Sequence, residues 1–325
     1  GRAHTMENQP WSPERDGIMI RSANSMLMAF LERPNNILST IPFIVLKAEW
    51  GRTSVPYNWR LMRQRFEAAG EVGNEWVYTE LVRFYELWVD VAGTRIDSYA
   101  TDQDVLVDAY VDGADLYIIV NNLEFDETTF DLDLGGLGGA NVLSVDIRHL
   151  HTVSNDPVLD ISSVAELPDV ITLGGEATMV IRVELDAIVA ISESSTETKH
   201  YASSMLQSIG ANTTLSFDVD GLTPGANGEA ILRLGVGRAH GLSLTPTVTV
   251  NGTAVTVPSD YRGYDQFHNG NGRDEFFGVL EIPVPWTAMQ ANNQIDVTFP
   301  ENGGHVSSVA LQIFNQSSAI VRRTK

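Results

Sequence analysis

Lys47-Ala48-Glu49-Trp50 closes a near-continuous apolar run, Ile41-Pro42-Phe43-Ile44-Val45-Leu46, and is where chemistry is most concentrated in this chain. A run of that length reads as a parallel strand buried on both faces. A lysine and a glutamate at the end of such a strand are expensive to bury and make sense facing a cleft. Trp50 offers a flat apolar face on which a pyranose ring stacks, and Glu49 and Lys47 can hydrogen-bond its hydroxyls. The alternative is a structural Lys–Glu pair with a packing tryptophan at the rim of the fold. The residues alone leave both open.

Residues 2–11 lead into the first predicted helix and supply a second candidate set, His4, Glu7 and Trp11. As a strand-to-helix loop they would line the same cleft as Glu49; as an exposed terminus they would line nothing. Trp59 stands beside Arg60, Arg63 and Arg65. Arginines bind sulfate or carboxylate oxygens bidentately, so this cluster either meets an anionic substrate group or offsets the acids around it. His149 and His151 share a strand face, but no carboxylate motif completes a metal set, and none is expected. The loop Asp260–Asn269 reads as a sugar or calcium site, or as cover over a sheet edge. Serine-hydrolase, phosphate-loop and zinc-protease motifs are absent from the sequence.

The elements that must position these residues change character along the chain. Ser12-Pro13-Glu14 starts a helix, which runs through Ile18, Met26, Leu27, Phe30 and Leu31 and stops at Arg33-Pro34. After the strand at Ile41–Leu46 comes an Arg/Tyr/Trp-rich connection with a short helix around Leu61–Ala68, then a helix over Glu75–Asp90. Helix, buried strand, loop and helix form the rhythm of an α/β barrel, of which one strand cannot be the whole. From about Thr94 short strands take over. Asp112-Gly113 joins Val105–Val111 to Leu116–Val120, and strands are expected at Thr129–Leu134, Asn141–His151, Val170–Leu173 and Thr178–Leu185. Ser192–Thr198 reads as a linker or boundary strand. Beyond it Thr213–Val219, Glu229–Leu234, Thr245–Val250, Thr253–Val257, Phe276–Pro283, Asn293–Phe299 and Ser307–Asn315 form a jelly-roll-like set, with a tight turn at Asn251-Gly252. The fold class is therefore mainly β, a C-terminal fragment of a (β/α)8 barrel followed by two β-sandwich domains. The domains expected are residues 1–93, 94–190 and 191–325.

Composition narrows the function. With 42 acidic against 21 basic residues the net charge is −21, which repels a nucleic-acid backbone. No segment approaches a membrane span. The absence of cysteine removes disulfides and thiolate metal sites and suits a secreted, bacterial-type β protein. The chain opens on Gly1-Arg2-Ala3-His4, which reads as a processed or fragment boundary.

Several long stretches resemble one family. Trp11-Ser12-Pro13-Glu14-Arg15-Asp16, Phe30-Leu31-Glu32-Arg33-Pro34, the run from Ile41 to Gly51, Tyr78-Thr79-Glu80-Leu81, Phe84-Tyr85-Glu86-Leu87-Trp88 and Val107–Gly113 are similar to the C-terminal portion of glycoside hydrolase family 86, the β-agarases and β-porphyranases. The resemblance implies a catalytic barrel followed by two sandwiches, and a galactan of the agarose or porphyran type as partner. It also implies retaining chemistry by two carboxylates, one protonating the leaving oxygen and one attacking the anomeric carbon. Those carboxylates follow the fourth and seventh barrel strands, so with Ile41–Leu46 as the eighth both are expected upstream of Gly1. Lys47, Glu49, Trp50, His4, Glu7, Trp11 and Trp59 are then substrate-binding candidates, with no cofactor beyond room for a structural calcium. The competing function is a carbohydrate-binding or adhesion protein whose sandwiches are the working units.

Overall fold

The computed structural model describes residues 10–32, 37–46, 59–135, 139–263 and 275–320. The chain divides into two compact units, Gly1–Ala190 and Ile191–Lys325. No helix among the described residues is long and apolar enough to cross a membrane.

In the first unit, helix α1 spans Pro13–Leu31. Ser12 caps it, its hydroxyl accepting from Arg15 N at 3.3 Å, with Pro13 in the first turn and Glu14 and Asp16 against the positive helix end. Strand β1 (Met62–Gln64) pairs antiparallel with β2 (Trp76–Tyr78), and α2 (Val82–Trp88) follows. Then come β3 (Thr94–Ile96), β4 (Val105–Asp112), β5 (Asp115–Asn122), β6 (Thr128–Phe130), β7 (Val142–Val153), β8 (Asp156–Val164), β9 (Ile171–Leu173) and β10 (Thr178–Leu185). Six of them form an antiparallel sheet in the order β3-β4-β5-β10-β7-β8, while β6 pairs with β9.

The six-stranded sheet is buried on both faces at its centre, which explains the unbroken apolar run of β5. Tyr117 and Ile119, with Leu106, Leu150 and Val180, pack under Met19, Ile20, Ala23 and Met28 of α1 and Phe84 and Leu87 of α2. Leu116, Ile118 and Val120 point the other way, into a core shared with Ile171 and Leu173 of β9. Helix α1 lies so close to the β7–β8 turn that a Cβ on Gly17 would meet the Asn155 carbonyl oxygen at 2.5 Å. That turn has positive φ at both Ser154 (52°) and Asn155 (74°), the geometry of a two-residue hairpin loop.

The second unit holds β11 (Ser195–Tyr201), β12 (Gln207–Ser208), β13 (Thr214–Asp220), β14 (Asn227–Ala239), β15 (Thr247–Val250), β16 (Thr253–Val255), β17 (Glu275–Val284), β18 (Asn292–Thr298) and β19 (His305–Gln316). One sheet runs β11-β19-β14-β17, with β12 also pairing β19; the other runs β13-β18-β15-β16. Alternate residues of each meet in one core: Leu232, Leu234, Ile282 and Leu311 from the first sheet, Phe217, Val219, Val248 and Val297 from the second. Asn251 and Gly252 both have positive φ and close the β15–β16 hairpin, as their types require.

The chain is mainly β, as expected, but the front piece differs from its sequence reading. Ile41–Leu46 does not form a strand buried on both faces. Phe43 is buried, whereas Ile41 is 84% and Val45 60% exposed, and an isolated parallel bridge joins Ile44 to Arg60. Burial on both faces needs ladder partners on both edges and a layer on each side. Among the described residues only the backbone of Trp59–Met62 pairs with this segment. The expected helix over Glu75–Asp90 is confined to Val82–Trp88, because Trp76–Tyr78 pairs with Met62–Gln64. Around Leu61–Ala68 there is that strand and a single 3-10 turn, Arg65–Glu67.

Replacing glycine by alanine inside a helix ordinarily stabilises by about 1 kcal/mol. At Gly17 the carbonyl of Asn155 reverses the sign: Gly17→Ala should destabilise by about 1–3 kcal/mol through overpacking, read as a lower urea midpoint. A higher midpoint would mean that α1 does not rest on the β7–β8 turn.

Candidate functional site

The start of α1 gathers buried charge from three segments distant in sequence. Asp16 has no solvent exposure. Its Oδ2 accepts from the Trp11 indole N–H at 2.8 Å and from Glu80 N at 3.0 Å, so one carboxyl group ties the residues before α1 to those before α2. Its Oδ1 has no hydrogen-bond donor among the described residues, and lies 3.9 Å from the buried Arg15 Nε. Burial pushes the Asp16 carboxyl up to about 7, against the opposing pull of the Trp11 N–H, Arg15 and the Glu80 N–H. Burial likewise lowers the Arg15 guanidinium.

The arginines beside Trp59 are matched by acids. Arg60 is buried and pairs with Glu67, which also accepts from Gln64 N at 2.8 Å. Arg63 donates to Glu71 at 2.9 Å and to the Arg65 carbonyl at 2.9 Å, while Arg65 lies 3.8 Å from Glu71. Of the two readings of this cluster, the geometry fits charge compensation.

The sequence candidates fall in different places. His4, Glu7, Lys47, Glu49 and Trp50 lie outside the described residues. Trp11 is half-buried: its N–H goes to Asp16, the Arg63 guanidinium sits 4.0 Å from its ring centroid, and its backbone bridges Ala68. Such a ring braces the loop that follows β1. Trp59 is 40% exposed and stacks on Phe43, 6.4 Å between centroids and 20° between planes. Phe43 is held edge-on by Phe84 and Tyr85 of α2. Of the two described candidates, Trp59 keeps part of its ring surface exposed, whereas Trp11 is tied into the fold by Asp16 and Arg63. Asp16, Glu67 and Glu80 are not among the sequence candidates for the site, since only the fold brings Asp16 to a backbone amide 64 residues away.

His149 and His151 stack with centroids 4.6 Å apart; His149 Nε2 accepts from Gly174 N, and His151 meets Asp160 at 2.8 Å. Burial first, then His151, lowers the His149 imidazole to about 4. Among the described residues no group of three His, Asp or Glu side chains could hold a metal ion.

Two families of sequence match the chain: "Porphyranase beta-sandwich domain 1" over residues 104–207 and "beta porphyranase A C-terminal" over residues 216–314. A funoran endo-β-hydrolase of Wenyingzhuangia aestuarii is 45% identical over 98% of this chain and 43% of its own length. The β-porphyranase A of Phocaeicola plebeius is 32% identical over 90% of this chain and 40% of its own. The crystal structure of BuGH86 in complex with neoagarooctaose superposes with a TM-score of 0.89 at 42% identity, over 98% of this chain and 51% of that one. BpGH86A, a β-porphyranase of glycoside hydrolase family 86 from Bacteroides plebeius, gives 0.83 at 31% identity over 95% of this chain and 54% of that one. The chain thus spans less than half the length of both relatives and about half of both crystallised chains. These matches place it among the glycoside hydrolases. It belongs to glycoside hydrolase family 86, the family of the β-agarases and β-porphyranases.

Asp16 and His149 load the stability of this unit in opposite directions. A carboxyl whose folded pKa is raised to about 7 takes up a proton on folding, so its contribution is full below about pH 4 and is lost as pH rises through 7. A histidine lowered to about 4 gives up its proton on folding, so its contribution is full above about pH 6.5 and is lost as pH falls through 4. Asp16→Asn should therefore gain stability relative to the parent between pH 4.5 and 7.5, measured as urea midpoints at both; a gap independent of pH would mean Asp16 is ionised throughout. His149→Gln should flatten the loss below pH 6, and an unchanged acid limb would free His149 of that role.

Proposed function

We propose that this chain is part of a secreted, endo-acting hydrolase that cleaves β-linked galactans of red algae, of the agarose or porphyran type, with retention of configuration. The observation that carries the reading is the 45% identity to a funoran endo-β-hydrolase across 98% of the chain. The fold supports it independently, through the likeness to a structure containing neoagarooctaose.

Residues 1–93 then form the last part of a (β/α)8 barrel, with Ile41–Leu46 as its eighth strand. The exposed apolar side chains of Ile41, Val45 and Leu46 suit a segment that meets further strands. The acid and the nucleophile are carboxylates outside residues 1–325, working without a cofactor: one protonates the glycosidic oxygen, the other attacks the anomeric carbon, and water then hydrolyses the glycosyl-enzyme. The part of this chain is to bind. Trp59 offers the exposed part of its ring to a pyranose, and Lys47, Glu49, Trp50, His4 and Glu7 are assigned to the same cleft wall. Trp11 braces that wall through Asp16 and Arg63. Positioning of this kind lowers the entropy cost of reaching the reactive geometry.

The test is release of reducing ends from agarose, porphyran and funoran by the chain extended at its amino end. Absence of release from all three would sink the reading. In the extended protein Trp59→Ala should raise KM about tenfold with little change in kcat, about 1.4 kcal/mol of binding common to ground and transition states. An unchanged KM would make Trp59 scaffold.

A further inference from the structure

The outward face of the five-stranded sheet in residues 191–325 carries a set of side chains that the hydrolase reading leaves unused. A relay of polar contacts crosses it from edge to edge. Arg262, in the connection between β16 and β17, reaches Glu281 at 3.4 Å, and Glu281 pairs with Arg233 on β14. Arg233 donates to Gln312 Oε1 on β19 at 3.3 Å, and Gln312 Nε2 donates to Glu197 Oε1 on β11 at 2.8 Å. Two arginines and two glutamates close without net charge, in a chain whose total is −21.

Two exposed aromatic rings lie on one side of this relay, each four residues along its edge strand from the relay member there. Phe277 is 60% and Tyr201 64% exposed, from the two edge strands β17 and β11. Phe277 stands opposite Gly237, and a Cβ on that glycine would come within 3.0 Å of the phenyl ring. The ring therefore lies across the neighbouring strand and leaves its other side to solvent. Tyr201 stands opposite Ala310, itself opposite Arg233, with Lys199 Nζ 5.9 Å from the tyrosine ring. Ser308 faces Gly235 between the two rings, its hydroxyl 2.6 Å from where a Cβ on that glycine would sit. From strand spacing and rise per residue, the two aromatic positions are roughly 20 Å apart, the span of roughly four linked pyranoses.

We infer that this face is a galactan-binding site separate from the cleft wall at Trp59, and that it takes an uncharged stretch of a β-galactan chain. Sugar rings lie on Phe277 and Tyr201, and hydroxyls meet Arg233, Glu281, Gln312 and Ser308. A polyanion would need uncompensated cations, and here the arginines are balanced by acids. A protein partner would need a contiguous apolar centre, and here the floor between the rings is Gly235, Ser308 and Ala310, with the polar relay alongside. A neutral polyhydroxylated chain matches both features. The inference rests on the proposed hydrolase only for the identity of the sugar.

The test is affinity electrophoresis of the 325-residue chain in gels containing agarose or porphyran, with dextran as control. Phe277→Ala and Tyr201→Ala should each weaken retention roughly five- to tenfold, and Phe277→Trp should keep it. Thermal unfolding of each variant shows that the fold is intact. Retention unchanged in both alanine variants, or no retention of the parent chain on either galactan, overturns the inference. If the parent is not retained but the amino-extended protein still hydrolyses galactan, this site falls and the hydrolase stands. If retention depends on Phe277 but the extended protein hydrolyses nothing, the site stands and the hydrolase falls.

Discussion

A carboxyl group with no access to water holds the front of this chain together. Asp16 accepts hydrogen bonds from the Trp11 indole and the Glu80 amide, so the segment before α1, the helix start and the segment before α2 converge on one side chain. Burying a carboxylate is costly unless it is neutralised or well partnered. Here burial raises its pKa while Trp11, Arg15 and Glu80 oppose the rise. Around it, Arg60–Glu67 and Arg63–Glu71 are paired in the same region. Breaking one member of such an arrangement leaves another charged group buried and unpaired.

What the sequence revealed depended on how local the cause was. Turns at Asp112-Gly113 and Asn251-Gly252 were legible because the residue types themselves dictate positive φ or a tight reversal. The start of α1 was legible for the same reason, with Ser12 and Pro13 adjacent to the first helical turn. Strand β8 was not: Asp156-Pro157 at its start and Ser162-Ser163 near its end break the alternation expected of a strand. It forms because its backbone pairs along β7 from Val153↔Asp156 to Val145↔Val164. Val77 continues the amphipathic spacing of Leu81, Phe84, Tyr85 and Trp88, which predicts a helix from about Glu75. Pairing with Met62–Gln64, a contact between segments, decided otherwise.

The candidate site divides along the same line. An aromatic residue beside arginines could be picked out at Trp59, because type and neighbours suffice. How the ring is packed could not, because that depends on Phe43 stacking against it. The roles of the arginines also turned on partners: Glu67 and Glu71 lie close in sequence to Arg60 and Arg63, yet only the short turn at Arg65–Glu67 brings one of them back onto Arg60.

The six-stranded sheet is joined to the Asp16 region more tightly than a spacer would be. Gly17, the residue after Asp16, is the point where α1 touches the β7–β8 turn, and Asn155 of that turn reaches Glu14 at 3.4 Å. One turn further on, Met19, Ile20 and Ala23 enter the core beneath the six-stranded sheet, and Arg21 pairs with Glu176 in the loop before β10. A helix so fixed can neither roll nor slide without opening a cavity or a clash, because close-packed interiors do not deform continuously. Asp16 is thereby held in place from below by the sheet. Because α1 carries Asp16 and rests on this sheet, the sheet fixes where the Trp11 and Glu80 segments meet.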